Sequence, residues 1–183
     1  MDKIVFLDRD GVINTEPGDE LYVMKWESFK FLPGAIEAIK KLTDAGYKVF
    51  VISNQAGISK GLFSQHDLDD ITANMLSEVE KSGSRIDGVF YCPHQSQDYC
   101  DCRKPKTGLF EKAVKSVSYD PSQTFFIGDT QRDVKAGKTA GYKTILVLTG
   151  KASLQDADAW IDKPDFVKKD LLEAATWIIE KYL

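Results

Sequence analysis

The stretch KIVFLDRDGV, residues 3–12, contains a short apolar run that is followed by a pair of aspartates and a glycine. The run from Ile4 to Leu7 suits a strand that is buried on both faces, and Asp8 follows it directly. Buried strands of this kind are typical of parallel sheets that are covered by helices on both sides. In such sheets ligands bind outside the carboxyl ends of the strands, so chemically active side chains are expected where the apolar runs stop.

Strand and helix patterns alternate along the rest of the chain. Apolar runs predict further strands at 49–52, 89–91, 124–127 and 144–148, and helical spacing predicts helices over 34–45, 108–118, 131–140 and 169–181. Ser64 and Asp67 fit a capping box that opens another helix, with an apolar stripe from Leu68 to Val79. This order predicts an α/β fold with a doubly wound, mostly parallel sheet, in a single domain over residues 1–183.

Composition and charge are those of an ordinary globular protein. Of the 183 residues, 43% are hydrophobic and 28% are charged, which is enough for one domain with a hydrophobic core. The net charge of −4 argues against nucleic acid or an anionic membrane as a partner. No apolar run approaches the roughly 20 residues of a membrane span, and the N-terminal residues lack a secretory pattern, so we expect a cytoplasmic protein.

Polar side chains recur at the predicted strand ends, and the candidates for a common site are Asp8, Asp10, Ser53, Asn54, Gln55, Arg103, Lys104 and Asp129. Three converging carboxylates repel one another unless a hard divalent cation lies between them. Their position favours a Mg²⁺ site at Asp8, Asp10 and Asp129 over three unrelated solvated turns. Ser53 and Asn54 offer a hydroxyl and an amide to a phosphate oxygen, with a plain polar turn as the alternative.

All three cysteines of the chain lie in YCPHQSQDYCDCRKPK, residues 91–106, with one of its two histidines. Together they have the composition of a closed structural zinc site, with Cys92, His94, Cys100 and Cys102 as the ligands. The alternative is three free cysteines beside a surface histidine. Arg103 and Lys104 follow this set directly, so a zinc-stapled loop would fix the point from which the lysine reaches a phosphate.

The motifs, in their order along the chain, resemble the haloacid dehalogenase superfamily: Asp-x-Asp, then Ser-Asn, then Lys, then Gly-Asp-x-x-x-Asp. The resemblance implies that Asp8 is the nucleophile and a Mg²⁺ ligand. Asp10 would be the general acid and base and would bind Mg²⁺ through its backbone carbonyl. Ser53 and Lys104 would hold the phosphoryl oxygens, and Asp129 would be the other metal ligand.

The pattern C-x-H followed by C-x-C-R-K-P resembles one branch of this superfamily, which contains heptose-bisphosphate and histidinol-phosphate phosphatases. Members of this branch are small and have no large cap domain. The resemblance leaves two readings of Asp133 open, since its side chain would either support the metal site or cap a helix.

The substrate within this branch is less well defined. NQAGISKGLF and LVLTGK resemble the heptose enzymes, whereas the five-residue gap between His94 and Cys100 is closer to the histidinol group. Arg103 and Lys60 are candidates for contact with a second phosphate. Three acids would instead suit the ammonium group of histidinol phosphate: Glu16, Asp19 and Glu20. We expect a monomer that hydrolyses a heptose 1,7-bisphosphate at its 7-phosphate, with histidinol phosphate or another small phosphorylated metabolite as the alternative.

Two other classes of protein fit parts of the pattern. A phosphorylated receiver domain also has a carboxylate nucleophile on a parallel sheet, but that nucleophile lies on a later strand, and here the third strand runs into the cysteines. A zinc-ribbon binding module has a similar cysteine cluster, but the acidic balance of the chain argues against nucleic acid. Mg²⁺-dependent release of phosphate from an aryl phosphate separates the three classes.

Overall fold

A six-stranded parallel sheet forms the centre of the protein in the computed structural model, which describes residues 1–18 and 22–183. The strands are β1 (Lys3–Leu7), β2 (Tyr47–Asn54), β3 (Gly88–Cys92), β4 (Phe125–Gly128), β5 (Lys143–Val147) and β6 (Phe166–Lys168). They lie in the order β3-β2-β1-β4-β5-β6, and every neighbouring pair is parallel. The chain therefore winds outward from β1 in both directions, which confirms the predicted doubly wound α/β fold.

Helices cover both faces of this sheet. They are α1 (Ala35–Asp44), α2 (Gln65–Lys81), α3 (Gly108–Ala113), α4 (Gln131–Thr139), α5 (Leu154–Ala159) and α6 (Leu171–Tyr182). Short 3₁₀ turns lie at Trp26–Ser28, Ser96–Asp98 and Pro121–Gln123. Among the described residues, no helix is both long enough and apolar enough to cross a membrane.

Alternate residues of β1 pack into two hydrophobic clusters, one on each face of the sheet. Val5 and Leu7 belong to the cluster that includes residues of α1, α2 and α6, whereas Ile4 and Phe6 belong to the cluster with residues of α3 and α4. All four side chains are completely buried. A central strand covered on both sides must be apolar on both sides, which is why the continuous apolar run predicted it.

The element boundaries follow local signals in some places and tertiary contacts in others. The Ser64 hydroxyl accepts a hydrogen bond from the Asp67 N–H, and the Asp67 carboxylate accepts one from the Ser64 N–H, which confirms the predicted capping box. The helix predicted over 108–118 is wrong in its extent, because α3 ends at Ala113 and weak helix formers follow. Short α5 and β6 were not predicted, since neither has a repeating apolar pattern of its own.

Candidate active site

Most of the predicted site residues meet at the carboxyl edge of the sheet, where β1, β2 and β4 lie side by side. The register pairs Leu7 of β1 with Val51 of β2 and with Ile127 of β4, so the residues just beyond these positions are neighbours. They line a cavity of about 190 Å³. Of the residues singled out in the sequence, it contains Asp8, Asp10, Glu16, Ser53, Asn54, Lys60, Arg103, Lys104, Asp129 and Asp133.

Three carboxylates form an acidic cluster at the floor of this cavity. Asp8, Asp129 and Asp133 are buried, and each places a carboxylate oxygen within 4.8 Å of the others. Burial, opposed by the Lys104 ammonium, raises the pKa of Asp8 to about 6. Burial and the neighbouring carboxylates of Asp133 and Asp8 raise the pKa of Asp129 to about 8. Crowded, buried oxygen ligands of this kind fit Mg²⁺, whose charge would stabilise the ionised carboxylates.

The Asp129 carboxylate is packed against two glycines. A Cβ atom on Gly150 would lie 2.0 Å from Asp129 Oδ2, and a Cβ atom on Gly11 would lie 2.5 Å from the same oxygen. The Lys151 N–H donates to Asp129 Oδ2 at 2.9 Å, and the Thr149 hydroxyl donates to the Gly11 carbonyl at 2.7 Å. The segment Thr149–Lys151 therefore fixes the orientation of this carboxylate. In the sequence, these residues were noted only as the end of LVLTGK, which resembles the heptose enzymes.

Lys104 is buried at the same floor and is held from two directions. Its Nζ lies 2.9 Å from Asp8 Oδ2 and 2.6 Å from Asp133 Oδ1, and it donates to the Ile52 carbonyl at 3.0 Å. Burial alone would lower the pKa of Lys104, but the carboxylates of Asp133 and Asp8 raise it above its usual value. The lysine therefore stays charged.

The backbone of Lys104 is bracketed by the side chain of Asn54. The Asn54 Oδ1 accepts from the Lys104 N–H at 3.0 Å, and the Asn54 Nδ2 donates to the Lys104 carbonyl at 3.1 Å. Asn54 also lies on the cavity wall, so its contact with a phosphate stays a prediction. The sequence gave no sign that Asn54 holds the backbone of Lys104, because the two residues are far apart along the chain.

Asp133 makes contacts that fit both of the alternatives that the sequence left open. Its Oδ2 accepts hydrogen bonds from the Thr130 N–H at 3.1 Å and from the Thr130 hydroxyl at 2.5 Å, which caps α4. Its Oδ1 pairs with Lys104 and belongs to the acidic cluster. A Cβ atom on Gly128 would lie 2.2 Å from the Asp133 Cβ, so a glycine is needed at that position for this close approach.

The Asp10 carboxylate is turned toward three fully buried side chains. Its Oδ1 accepts from Arg9 Nη2 at 2.9 Å and from Asn14 Nδ2 at 2.9 Å, and its Oδ2 accepts from Gln55 Nε2 at 2.8 Å. Burial would raise the pKa of Asp10, but the Arg9 guanidinium and these hydrogen bonds hold it below its usual value. Sequence reasoning did not single out Arg9 or Asn14, which lie within or just after the Asp-x-Asp motif.

Gln55 does not line the cavity. Its side chain is completely buried and bonds Asp10 and the Ser53 hydroxyl, and its N–H donates to the Cys92 carbonyl at 2.7 Å. Its backbone N–H thus continues the hydrogen bonding between β2 and β3, and the expected phosphate contact of Gln55 stays a prediction.

The rim of the cavity is predominantly cationic. Besides Arg103 and Lys60, it carries Arg132 and Lys151, to which sequence reasoning gave no role although each lies within a quoted motif. Glu16 is the acid on this rim among the described residues, and its Oε1 lies 2.8 Å from Lys151 Nζ. Two of the acids considered for an ammonium group, Asp19 and Glu20, lie outside the described residues.

The predicted Cys₃His set comes together beside this rim. Its ligand atoms all lie within 4.8 Å of one another, and the set consists of Cys92, His94, Cys100 and Cys102. The Cys92 Sγ lies 3.6 Å from the Cys100 Sγ and 3.1 Å from the Cys102 Sγ, and the His94 Nδ1 lies 3.2 Å from the Cys102 Sγ. These separations exceed a disulfide bond and suit ligands that surround one ion at zinc–sulfur and zinc–nitrogen distances.

Comparisons with known proteins agree with this geometry. The HAD-hydrolase-like family model matches residues 101–174. A D-glycero-beta-D-manno-heptose-1,7-bisphosphate 7-phosphatase from Haemophilus ducreyi is 40% identical over 96% of this chain and 98% of its own length. One from Helicobacter pylori (strain ATCC 700392 / 26695) is 37% identical over 90% of this chain and 93% of its own.

A solved structure gives the same result. The D,D-heptose 1,7-bisphosphate phosphatase from B. bronchiseptica, complexed with magnesium and phosphate, has a TM-score of 0.89 and 32% sequence identity, and covers 98% of this chain and 99% of its own. Identity of this level over nearly the whole length settles the relationship. The chain belongs to the haloacid dehalogenase-like phosphatases, in the family of the D-glycero-beta-D-manno-heptose-1,7-bisphosphate 7-phosphatases.

Proposed function

We propose that the protein hydrolyses the 7-phosphate of a D-glycero-D-manno-heptose 1,7-bisphosphate. The observation that carries this proposal is the buried Asp8–Lys104 pair at the floor of a cavity whose rim is cationic. The names of the relatives support the same substrate. Contributions to the site from Asp8 through Lys151 also support one catalytic domain over residues 1–183.

The reaction follows from the roles assigned to two carboxylates. An oxygen of Asp8 attacks the phosphorus, the bond from phosphorus to the sugar oxygen breaks, and that oxygen takes a proton from Asp10. Water then attacks the aspartyl phosphate and gives a proton to Asp10, and the bond to Asp8 breaks to release inorganic phosphate. Asp10 thus returns to the protonated form that the first step requires, and no other co-reactant is needed. Against the effect of burial, Arg9 lowers the pKa of Asp10 in the free protein, and the negative charge of a bound phosphate opposes that lowering.

The remaining residues at the floor stabilise charge and fix geometry. Lys104 and Ser53 would contact the non-bridging phosphoryl oxygens, on which negative charge accumulates. Asp8, Asp129 and the Asp10 carbonyl would hold Mg²⁺, with Asp133 behind them. When bound, Mg²⁺ supplies positive charge to the transferring phosphoryl group.

The charge of the rim favours a bisphosphate over histidinol phosphate. Lys60, Arg103 and Arg132 are cations without an acidic partner within salt-bridge distance among the described residues, and Glu16 is already paired with Lys151. A second phosphate meets complementary charge there, whereas an ammonium group would be repelled. Arg103 is also fixed in place, because its Nη1 donates to the His94 carbonyl at 2.9 Å.

The Cys₃His set is proposed to hold a structural zinc ion that staples the loop before Lys104. Four protein ligands leave no open position for water, so this ion would not take part in the reaction. Thiolate ligands require a reducing compartment, which supports the expected cytoplasmic location. Elemental analysis of protein purified without chelator should find one zinc per chain. The expected monomer is checked by light scattering.

A comparison of substrates tests the proposed function. We expect a higher kcat/KM for the heptose 1,7-bisphosphate than for histidinol phosphate or an aryl phosphate, and no turnover after Mg²⁺ is removed. A preference for histidinol phosphate would contradict the proposed assignment of the heptose bisphosphate as the substrate. Turnover without a divalent cation would contradict the mechanism.

A further inference from the structure

Arg9 lies between the two catalytic aspartates but faces away from the cavity. Its side chain is completely buried, and it does not line the cavity. The guanidinium group lies 5.6 Å from the centre of the Tyr91 ring, and its Nη1 is buried without a hydrogen-bond partner among the described residues. Burial of a guanidinium group is costly, so its retention calls for a specific partner.

The ionic partner of Arg9 is Asp10. Arg9 Nε and Nη2 both donate to Asp10 Oδ1, at 3.2 and 2.9 Å, and Nη2 also lies 3.1 Å from Oδ2. The planar guanidinium group restricts both the rotation and the tilt of a carboxylate that it contacts through two nitrogens. The orientation of Asp10 is therefore defined by Arg9 more than by its own backbone.

The turn that follows Arg9 makes this arrangement rigid. The Arg9 carbonyl accepts hydrogen bonds from the N–H groups of Val12, Ile13 and Asn14, at 3.3, 2.8 and 3.1 Å. Asn14, on the same turn, then donates its side-chain amide to Asp10 Oδ1. Gln55 reaches the other carboxylate oxygen from the end of β2. Asp10 is thus held from three sides, with only 17% of its side chain exposed.

We propose that Arg9 is a positioning residue for the proton transfers of Asp10. This inference rests on the proposed function, in which Asp10 protonates the leaving oxygen and later accepts a proton from water. Arg9 touches neither the substrate nor the reacting atoms. It acts by keeping the exposed edge of the Asp10 carboxylate directed at the position of the leaving oxygen. Without it, the carboxylate can rotate within the buried space around Arg9.

The leaving group of the substrate separates positioning from general damage. A sugar alkoxide needs a proton to depart, whereas the nitrophenolate of p-nitrophenyl phosphate does not. In Arg9→Met, single-turnover cleavage of the heptose bisphosphate should fall about 10²-fold, the cost of a misplacement of about 1 Å. The first release of nitrophenolate should stay near the wild-type rate. The slower hydrolysis of the aspartyl phosphate should then give a burst of one nitrophenolate per active site.

Three further variants complete the test. Arg9→Lys keeps the charge but not the two-nitrogen contact, so it should show the same burst with a smaller loss, and it decides the matter if Arg9→Met does not fold. Gln55→Met removes one hydrogen-bond donor to Asp10. It should change the rates of heptose bisphosphate cleavage and of aspartyl phosphate hydrolysis in the same direction as Arg9→Met. Arg9→Met combined with Asp10→Asn should be no slower than Asp10→Asn alone, because both changes remove one function.

The failure of this inference is distinguishable from failure of the proposed function. An equal fold-loss for both substrates in the first turnover, or an additive loss in the double variant, would overturn the role of Arg9. Near-normal rates for Asp10→Asn on the heptose bisphosphate would instead overturn the acid and base role of Asp10 itself.

Discussion

The acidic cluster and the Cys₃His set are both groups of candidate metal ligands, but they are built in opposite ways. Asp8 follows β1, Asp129 and Asp133 come from the distant segment between the end of β4 and the first turn of α4, and all three are buried. The Cys₃His set lies within residues 92–102, and only Cys92 of its members is buried. The sheet and its core hold the acidic cluster in place, whereas the loop that carries the Cys₃His set is exposed over residues 96–99 and is proposed to depend on its ligands for order.

Lys104 connects these two regions. It lies two residues after Cys102, and its ammonium group reaches Asp8 and Asp133. The side chain of Asn54 fixes its backbone to the end of β2. Loss of the acidic cluster should therefore abolish the reaction, and loss of the Cys₃His set should weaken it through Lys104.

The largest effect is expected from Asp8→Asn. This change removes the nucleophile, so turnover should fall to the detection limit, while the fold is kept because the two side chains are similar in size. Steady-state kinetics and thermal unfolding check both statements. Asp10→Asn should also keep the fold but lose about 10²–10⁴-fold in kcat, the usual contribution of general acid–base catalysis. Near-normal turnover of Asp8→Asn would exclude it as the nucleophile.

The second effect concerns the packing of the acidic cluster. In Gly150→Ala the new Cβ would lie 2.0 Å from Asp129 Oδ2, so the carboxylate must move. We expect the Mg²⁺ concentration for half-maximal activity to rise about 10–100-fold, as is usual when the support of a metal ligand is lost. Mg²⁺-dependent thermal stabilisation should weaken in parallel.

Gly141→Ala is the matched control for this prediction. Gly141 has a φ of 79°, so alanine is strained there, but the nearest atom to its new Cβ is 3.8 Å away. This control should lose stability without any change in the Mg²⁺ requirement. An unchanged Mg²⁺ requirement in Gly150→Ala would show that Asp129 is not a metal ligand.

Sequence patterns predicted Asp8 and Asp129 of the acidic cluster because both follow apolar runs that the core needs on both faces, but they grouped Asp10 with them and left the role of Asp133 open. They predicted the Cys₃His set because its spacing is local. Arg9 was missed because its sequence context is misleading. A charged residue between two aspartates is expected to be exposed to solvent, and the sequence alone does not show that its side chain is buried. Gly150 was missed because its close approach to Asp129 depends on how two distant loops meet.

The third prediction tests the role of the Cys₃His set. The double variant Cys100→Ser, Cys102→Ser should contain no zinc, unfold at a lower temperature and lose about 10-fold or more in kcat/KM, mainly through KM. The loss is partial because Asn54, Asp8 and Asp133 still hold Lys104. Wild-type protein that has been freed of zinc with a chelator and is then assayed with Mg²⁺ restored should behave in the same way and recover with zinc. A metal-free double variant with full stability and activity would refute the proposed staple.

The smallest effect is expected at the rim of the cavity, where the loop that carries the Cys₃His set would meet the substrate. Arg103 is half-buried and its Nη1 donates to the His94 carbonyl, so a zinc-stapled loop would present the rest of its guanidinium group to a second phosphate. Arg103→Ala should reduce kcat/KM for the heptose bisphosphate by the equivalent of about 1–2 kcal/mol, which lies between the usual contribution of a neutral hydrogen bond and that of one to a charged group. The loss should shrink for p-nitrophenyl phosphate, which has no second phosphate. Lys135→Ala removes an exposed cation of α4 outside the cavity and should affect neither substrate. An equal loss on both substrates in Arg103→Ala would mean that this arginine acts at the cleaved phosphate, and the rim would then no longer distinguish a bisphosphate from other small phosphates.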